Sequence, residues 1–280
     1  MKINGWKYYN HAAIPTVAPH EKPDLAPIRD GNIWRIDRRH PLLARWTTDF
    51  DCGIETNWWY VVKDDPFDIS RLKAKRRYEI NKGNKYFSVM EINPTKYKDT
   101  LFQIQYAAYS AYPLKYRPTI DKNSFFEMIN SWENCVVIGA FFRETNELVG
   151  YAMLNESVGK CIHFNILKSI PNYEKYSINA ALVMGIMSKY DENLKQDWYI
   201  CDGSRNINHE TRFQDYLEKY FGFRKAYCQL HIAYRPGVKW LIRVIFPIRK
   251  LLLKFDRIRI VHAINSILRM EEMNRSRGTT

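Results

Sequence analysis

The sequence predicts a mixed α/β fold, a sheet clothed by helices on both faces, and three observations carry this. Val136–Phe142 is an unbroken apolar run, as expected of a strand buried on both sides. Cys161–Ile166 alternates strictly, with Ile162, Phe164 and Ile166 facing one way and Cys161, His163 and Asn165 the other. Around them lie stretches of helical period, such as Ile178, Leu182 and Ile186 within Asn172–Tyr190. Some strands are joined by tight turns and others by helices, so the sheet mixes antiparallel and parallel pairs.

The elements follow in order. Pro15, Pro19, Pro23 and Pro27 recur every four residues, which reads as an extended arm over residues 1–32. Two short strands are expected at Ile33–Arg38 and Asn57–Lys63. A basic helix follows, Asp68–Lys82, with Ser70 as N-cap. From Tyr86 the periods are clean: a strand to Ile92, helices over Thr95–Tyr112 and Asp121–Trp132, and strands at Val136–Phe142, Leu148–Leu154 and Cys161–Ile166. Then come the helix Asn172–Tyr190, a strand Trp198–Asp202, a helix Thr211–Tyr220 and a strand Phe223–Tyr234. The chain thus divides into an N-terminal extension (1–85), a core domain (86–236) and a basic tail (237–280).

Of 280 residues, 43 are Lys or Arg and 30 are Asp or Glu, a net charge of +13. An excess of this size attracts anionic partners: nucleic acid, anionic lipid or a phosphorylated substrate. The five cysteines (Cys52, Cys135, Cys161, Cys201, Cys228) include no C-x-x-C pair, so neither a disulfide framework nor a zinc cluster is expected, and the thiols read as reduced and buried. The first 30 residues lack a basic segment followed by an apolar one, and no run of about 20 apolar residues occurs. The expectation is a cytoplasmic protein.

From Tyr86 to Tyr234 the order β-α-α-β-β-β-α-β-α-β resembles the GNAT acyltransferase fold. Cys201-Asp202-Gly203-Ser204-Arg205-Asn206 leads into a helix that ends in Lys219-Tyr220-Phe221-Gly222-Phe223, and a "GF" there is a GNAT habit. Gly222 suits a residue just past a helix, in the left-handed region. Arg71–Ile92 (RLKAKRRYEINKGNKYFSVMEI) looks like a helix and strand of the FemAB-like branch, which transfers aminoacyl or acyl groups, several onto cell-wall lipid precursors. The resemblance implies an acyl-CoA or aminoacyl-tRNA donor, no metal, and an amine-bearing acceptor, either a small molecule or a lipid-linked precursor. Typical GNAT proteins grip the CoA pyrophosphate with a glycine-containing loop at the start of the central helix. Here that stretch, Tyr173–Asn179, has no glycine, so a weak grip is expected, with Lys175 as a point charge and Ile166 and Leu167 along the donor.

Acyl transfer to an amine needs a base, oxyanion donors and positioning. His163, on the polar face of its strand beside Asn165, suits a base; the alternative is a structural histidine. Asp202 ends the next strand as a second catalytic residue, and the transfer site is expected between the two, with Asn165, Arg205 and Asn206 on the substrate; for Asp202 an Asx-turn and for Arg205 a surface charge are the alternatives. The tyrosine common in GNAT enzymes falls on Glu218, so its role moves to Tyr216, Tyr220 or Tyr227, of which Tyr227 is taken as catalytic; packing is the alternative for each. His209 and Glu210 open the last helix of this domain, where Glu210 complements the helix dipole.

In the tail, Gly237–Arg277 holds ten Lys or Arg and three acids, interleaved with Trp240, Leu241, Ile245, Phe246, Leu251, Leu252, Phe255 and Ile258, with Pro247 as a break. Three readings stay open: an interfacial helix on the inner face of an anionic membrane, a helix docked on the core, and a nucleic-acid contact, which a tRNA donor would favour. The function expected is an N-acyltransferase acting on an envelope or polysaccharide precursor; the alternatives are a soluble acceptor, or a catalytically silent GNAT-fold protein that binds lipid or nucleic acid through its tail.

Overall fold

The computed structural model describes residues 2–114, 117–207 and 212–276. They form two compact units, one of residues 1–61, 204–215 and 224–280, the other of residues 62–203 and 216–223. The units divide the chain otherwise than its three sequence blocks: arm and tail belong to the first unit, and the basic helix to the second.

The first unit opens with a hairpin where an extended arm is expected. β1 (Trp6–Tyr9) and β2 (Ala12–Pro15) pair antiparallel around Asn10 and His11. Both turn residues have positive φ (46° and 63°), the two-residue turn whose twist matches the strands. Of the four spaced prolines only Pro15 lies in a strand, at its end, where no ladder donor is lost. A one-turn helix α1 (Ala26–Arg29) follows. The strand expected at Ile33–Arg38 is instead a 3₁₀ segment, Asn32–Arg38, kinked where Arg35, Ile36 and Asp37 leave the helical region. Its Ile33 and Ile36, three apart, both enter the cluster of Trp6, Ala13 and Ala44, a spacing that short apolar runs share with strands. β3 (Leu43–Thr48) and β4 (Trp58–Lys63) follow, β4 passing into the second unit.

The second unit contains α2 (Ala74–Tyr86), β5 (Phe87–Glu91), α3 (Lys98–Ser110), α4 (Lys122–Asn130), β6 (Cys135–Phe142), β7 (Glu147–Glu156), β8 (Cys161–Ser169), α5 (Ile178–Lys189), α6 (Asp191–Leu194) and β9 (Tyr199–Ser204). Before α2, Asp68 rather than Ser70 is the cap; it accepts from the Ser70 N–H at 2.8 Å and heads only a 3₁₀ turn. Asp121 caps α4 through the Ser124 N–H. The strand order is β9-β8-β7-β6-β5, antiparallel except for β8 with β9. On one face α3 and α4 bury Leu101, Ile104, Phe125 and Ile129 against Tyr151 and Met153 of β7. On the other lies α5, apolar all round because α2 covers its outer side. Gly83 of α2 and Gly185 of α5 sit where an added Cβ would strike Ser177 and Val89 respectively, so both packings require glycine. The helix expected from Asn172 starts only at Ile178: a 3₁₀ turn, Pro171–Tyr176, and Ser177 in the left-handed region (φ 64°) precede it.

α7 (Arg212–Phe221) ends at Gly222, whose φ of 69° is the left-handed geometry expected of it. Glu210 and His209 lie outside the described residues. β10 (Arg224–Tyr234) completes a first-unit sheet of order β1-β2-β3-β10-β4, with β2 parallel and β10 antiparallel to β3. The tail forms α8 (Pro236–Ile245), α9 (Arg249–Leu252) and α10 (Arg259–Arg275). α10 lays Met270 and Met273 on Trp58, Cys228 and Leu230. Its buried Glu271 accepts from the Tyr234 hydroxyl at 2.9 Å and pairs with Arg275 at 2.6 Å. No helix among the described residues is long and apolar enough to cross a membrane.

Candidate functional site

The second unit's sheet carries a fork. β8 and β9 pair in parallel over three positions, Cys161 with Tyr199, Ile162 with Ile200 and His163 with Cys201. Beyond that, among the described residues, β8 runs on to Ser169 and β9 to Ser204 without further pairing to one another. The β8 edge from Phe164 onward thus presents backbone N–H and C=O groups with no strand on that side. A bulge lies at the same place. Met153 pairs with Ile166 but Leu154 pairs with Phe164, which leaves Asn165 as the extra residue. The strict alternation expected along β8 therefore breaks: Ile166 packs with Tyr151 and Met153, while Phe164 shares the opposite face with Leu154.

Parallel register decides which side chains meet. His163 and Cys201 are Cα partners and point to one face; Asp202, the next residue, points to the other. The expected convergence of His163 and Asp202 is thereby corrected. What stands beside His163 instead is a pair of thiols. Cys161 Sγ lies 4.0 Å from His163 Nδ1, and Cys161, His163 and Cys201 share a face. Cys161 and Cys201 are buried and His163 is half-buried. The Cys201 thiol donates to Cys161 and, against the effect of burial, holds the Cys161 thiol down to about 5, with His163 adding to the effect. The same hydrogen bond, with burial, pushes the Cys201 thiol well up. The sequence reads these cysteines as reduced and buried, and they are both free and buried, but it does not pair them with His163. The usable signal was the two-residue spacing Cys161-Ile162-His163 on a strand, which places thiol and imidazole side by side.

The other candidates scatter. Asn165 is exposed at the bulge, its amide 3.8 Å from Met153 Sδ. Ile166 and Leu167 lie on the β8 edge beyond its pairing with β9. Lys175 is exposed on the 3₁₀ turn, its Nζ 5.1 Å from the Tyr176 ring. That turn is an aromatic cluster. Tyr173 and Tyr176 pack on Phe142 at 5.1 and 5.4 Å between centroids, and Tyr86 lies 4.8 Å from Tyr176.

Tyr227, Arg205 and Asn206 belong to the first unit, His163 and Asp202 to the second. Tyr227 meets Trp59 edge-on at 6.0 Å. Arg205 stacks on the same indole at 4.1 Å and donates to the Asn57 carbonyl at 2.6 Å, and burial lowers its pKa. Asn206 is exposed in the loop after β9. Tyr216 and Tyr220 stack on each other at 4.8 Å, with Arg76 over Tyr220, a packing arrangement. A groove of about 450 Å³ between β5 and α5, lined by Val89, Met184 and Lys189 among others, lies at the opposite sheet edge from the fork. Among the described residues, no group of three or more His, Cys, Asp or Glu is placed to hold a metal ion.

No protein-family profile matches the sequence. No curated protein matches it either. Solved structures do. L-PGS from Bacillus licheniformis is similar over 86% of this chain and 84% of its own, at 11% identity and a TM-score of 0.49. A GNAT-family acetyltransferase from Staphylococcus aureus is similar over 39% and 69%, at 17% identity and a TM-score of 0.32. The C-terminal domain of a putative lysylphosphatidylglycerol synthetase from Agrobacterium fabrum is similar over 85% and 82%, at 9% identity and a TM-score of 0.50. At such identity the likeness is one of fold, and the fold is GNAT-like, a mixed sheet with helices on both faces.

Proposed function

We propose that the protein is an N-acyltransferase whose reaction takes place in the fork between β8 and β9. The observation that carries this is the parting of the two strands just beyond His163, with the bulge at Asn165 on the freed edge. In this reading the donor's acyl group lies along Phe164–Leu167, where backbone N–H groups of the unpaired edge hold the carbonyl oxygen. His163 takes a proton from the acceptor's ammonium, the amine nitrogen attacks the acyl carbon, and the tetrahedral oxyanion is held by those N–H groups. The thioester or ester bond then breaks, the nitrogen gives its second proton to the leaving thiolate or alkoxide as the amide forms, and His163 releases the first proton to solvent.

The FemAB-like reading of the donor, an aminoacyl ester of tRNA, fits the site better than acyl-CoA. Aromatic rings fill the turn before α5, where a glycine loop would grip a pyrophosphate. The name of the Agrobacterium domain, from a putative lysylphosphatidylglycerol synthetase, points the same way, to a lysyl group. A catalytically silent protein is the second reading, favoured by Glu218 standing where a tyrosine is usual.

The test is product mass spectrometry with full-length protein, a mixed charged-tRNA pool, acetyl-CoA and a panel of amine acceptors that includes envelope precursors. Transfer is expected from aminoacyl-tRNA, and His163→Ala should slow it by ~10²–10⁴. Transfer from acetyl-CoA alone would reverse the donor assignment, and no transfer from either donor would favour the silent protein.

A further inference from the structure

From Pro236 to Asp256 the tail runs as α8, two 3₁₀ turns and α9 in succession, with right-handed helical angles at the junctions except at Ile248 (φ −93°, ψ 10°), just past Pro247. At helical rise this rod is about 30 Å long. It is apolar on two sides, and among the described residues one side is packed and the other exposed. Ile242 and Phe246 are buried against Leu268 of α10, with Val238, Ile245 and Leu252 packed beside them. The second stripe is Trp240, Val244, Ile248, Leu251 and Phe255, spaced by four, four, three and four residues, and each is 50–67% exposed. Ile258 and Ile260 extend it past the rod at 54% and 73% exposed. A stripe this long on one face exceeds the scattered single apolar residues of an ordinary surface.

Its flank is cationic. Lys239, Arg243, Lys250 and Lys254 are exposed, and each precedes a stripe residue by one, so they form a row about 100° round the rod from the apolar one. Arg257 continues the row. From Pro236 to Ile260 there are seven Lys or Arg and one acid, Asp256. That carboxylate is already engaged, by Asn265 at 2.8 Å and His262 at 2.9 Å.

We propose that this second stripe seats the protein on an anionic phospholipid surface, with the rod lying in the plane of the headgroups. The apolar row enters the headgroup–acyl boundary, and the lysines and arginines beside it extend to the phosphates. No described helix is built to cross the bilayer, so the binding is interfacial. A second copy of the chain fits the stripe poorly, because a two-fold interface would bring two cationic rows together. The inference stands apart from the acyl-transfer reading and is tested without any assay of transfer.

The full-length chain is sedimented with vesicles of phosphatidylcholine alone and with phosphatidylglycerol added, at about 0.05 M and about 0.5 M salt. Binding is expected to rise tenfold or more, roughly, when the anionic lipid is present, and to fall at high salt. The triple variant Trp240→Ser, Leu251→Ser, Phe255→Ser should lose most of the binding while keeping the wild-type far-ultraviolet circular dichroism, since all three side chains are exposed. Lys250→Glu with Lys254→Glu should weaken binding to anionic vesicles and leave the stripe intact. Equal recovery with neutral and anionic vesicles, or wild-type binding by both variants, overturns the proposal. So does a dimer in sedimentation velocity that the triple variant abolishes while vesicle binding is unchanged, which would make the stripe a self-association face.

Discussion

Tyr151 is wholly buried in the middle of β7, and its hydroxyl donates to Gln105 Oε1 of α3 at 2.7 Å. Burial raises its pKa far above the ordinary phenol value, so the donor stays protonated. Tyr151→Phe fills nearly the same volume but leaves a buried amide oxygen without that donor. The expected loss is about 1–3 kcal/mol in urea unfolding, with no change in the slope of the transition. A loss under about 0.5 kcal/mol would mean that Gln105 finds another donor. At this scale the sequence is legible in part. Alternation puts Tyr151 on an inward face, but nothing in the sequence says that Gln105, 46 positions earlier, comes to meet it. The candidate site behaves likewise. His163 was legible from its strand, whereas its real neighbour, Cys201, is set by the β8–β9 register, which only the folded sheet fixes. Asp202 was misplaced by that one-residue step, since adjacent strand residues face opposite ways.

Among elements, the close approach of α2 to α5 rests on Gly83. A Cβ there would lie 2.7 Å from the Ser177 carbonyl oxygen and 3.0 Å from the Ala181 nitrogen, both backbone atoms that cannot swing aside. Alanine favours a helix over glycine by about 1 kcal/mol, but prying two packed helices apart costs about 1–3 kcal/mol, so the clash should win. Gly83→Ala is expected to lower the thermal midpoint. Gly237→Ala, with nothing within 4 Å of its Cβ, is the control and should leave stability level or slightly raised. A Gly83→Ala protein as stable as the control would show that the two helices can slide. The elements legible in the sequence carry long patterns, apolar runs or alternation in β6 to β8 and helical period in α3, α4 and α5. Those missed are short. The hairpin at Asn10 and His11 depends on two positive-φ residues, neither of them glycine, and the 3₁₀ segment at Asn32–Arg38 places two isoleucines three apart, within reach of either strand or helix. The break before α5 comes from Ser177 in the left-handed region, a conformation a serine gives no warning of.

For the whole molecule the net charge of +13 is the governing quantity. An excess this large pushes the folded chain apart, because folding brings like charges closer than the unfolded chain holds them. The strongest concentrations are the helix region Arg71–Lys85, with seven Lys or Arg against Glu79, and the rod Pro236–Ile260. Some of these cations are held by groups that need no acid: Arg77 donates to the Leu72 carbonyl at 2.6 Å, and Arg76 lies over the Tyr220 ring. Such contacts fix side chains without cancelling charge. Salt supplies the missing screening. The Debye length falls from about 30 Å at 0.01 M to about 10 Å at 0.1 M, which is enough to separate the two concentrations from most of their neighbours. Stability should therefore rise by ~1 kcal/mol over that range, a gain of about 2–4 °C in thermal midpoint for a chain of this size. Sodium chloride and sodium acetate should act alike at equal ionic strength, since screening does not depend on which monovalent anion supplies it. A flat or falling midpoint would show that the surface ion pairs, such as Arg224 with Asp51 and Lys189 with Glu91, outweigh the repulsion, because salt weakens those pairs instead. A rise complete at millimolar phosphate and absent with chloride would point to occupation of a specific anion site rather than to the charge of the molecule as a whole.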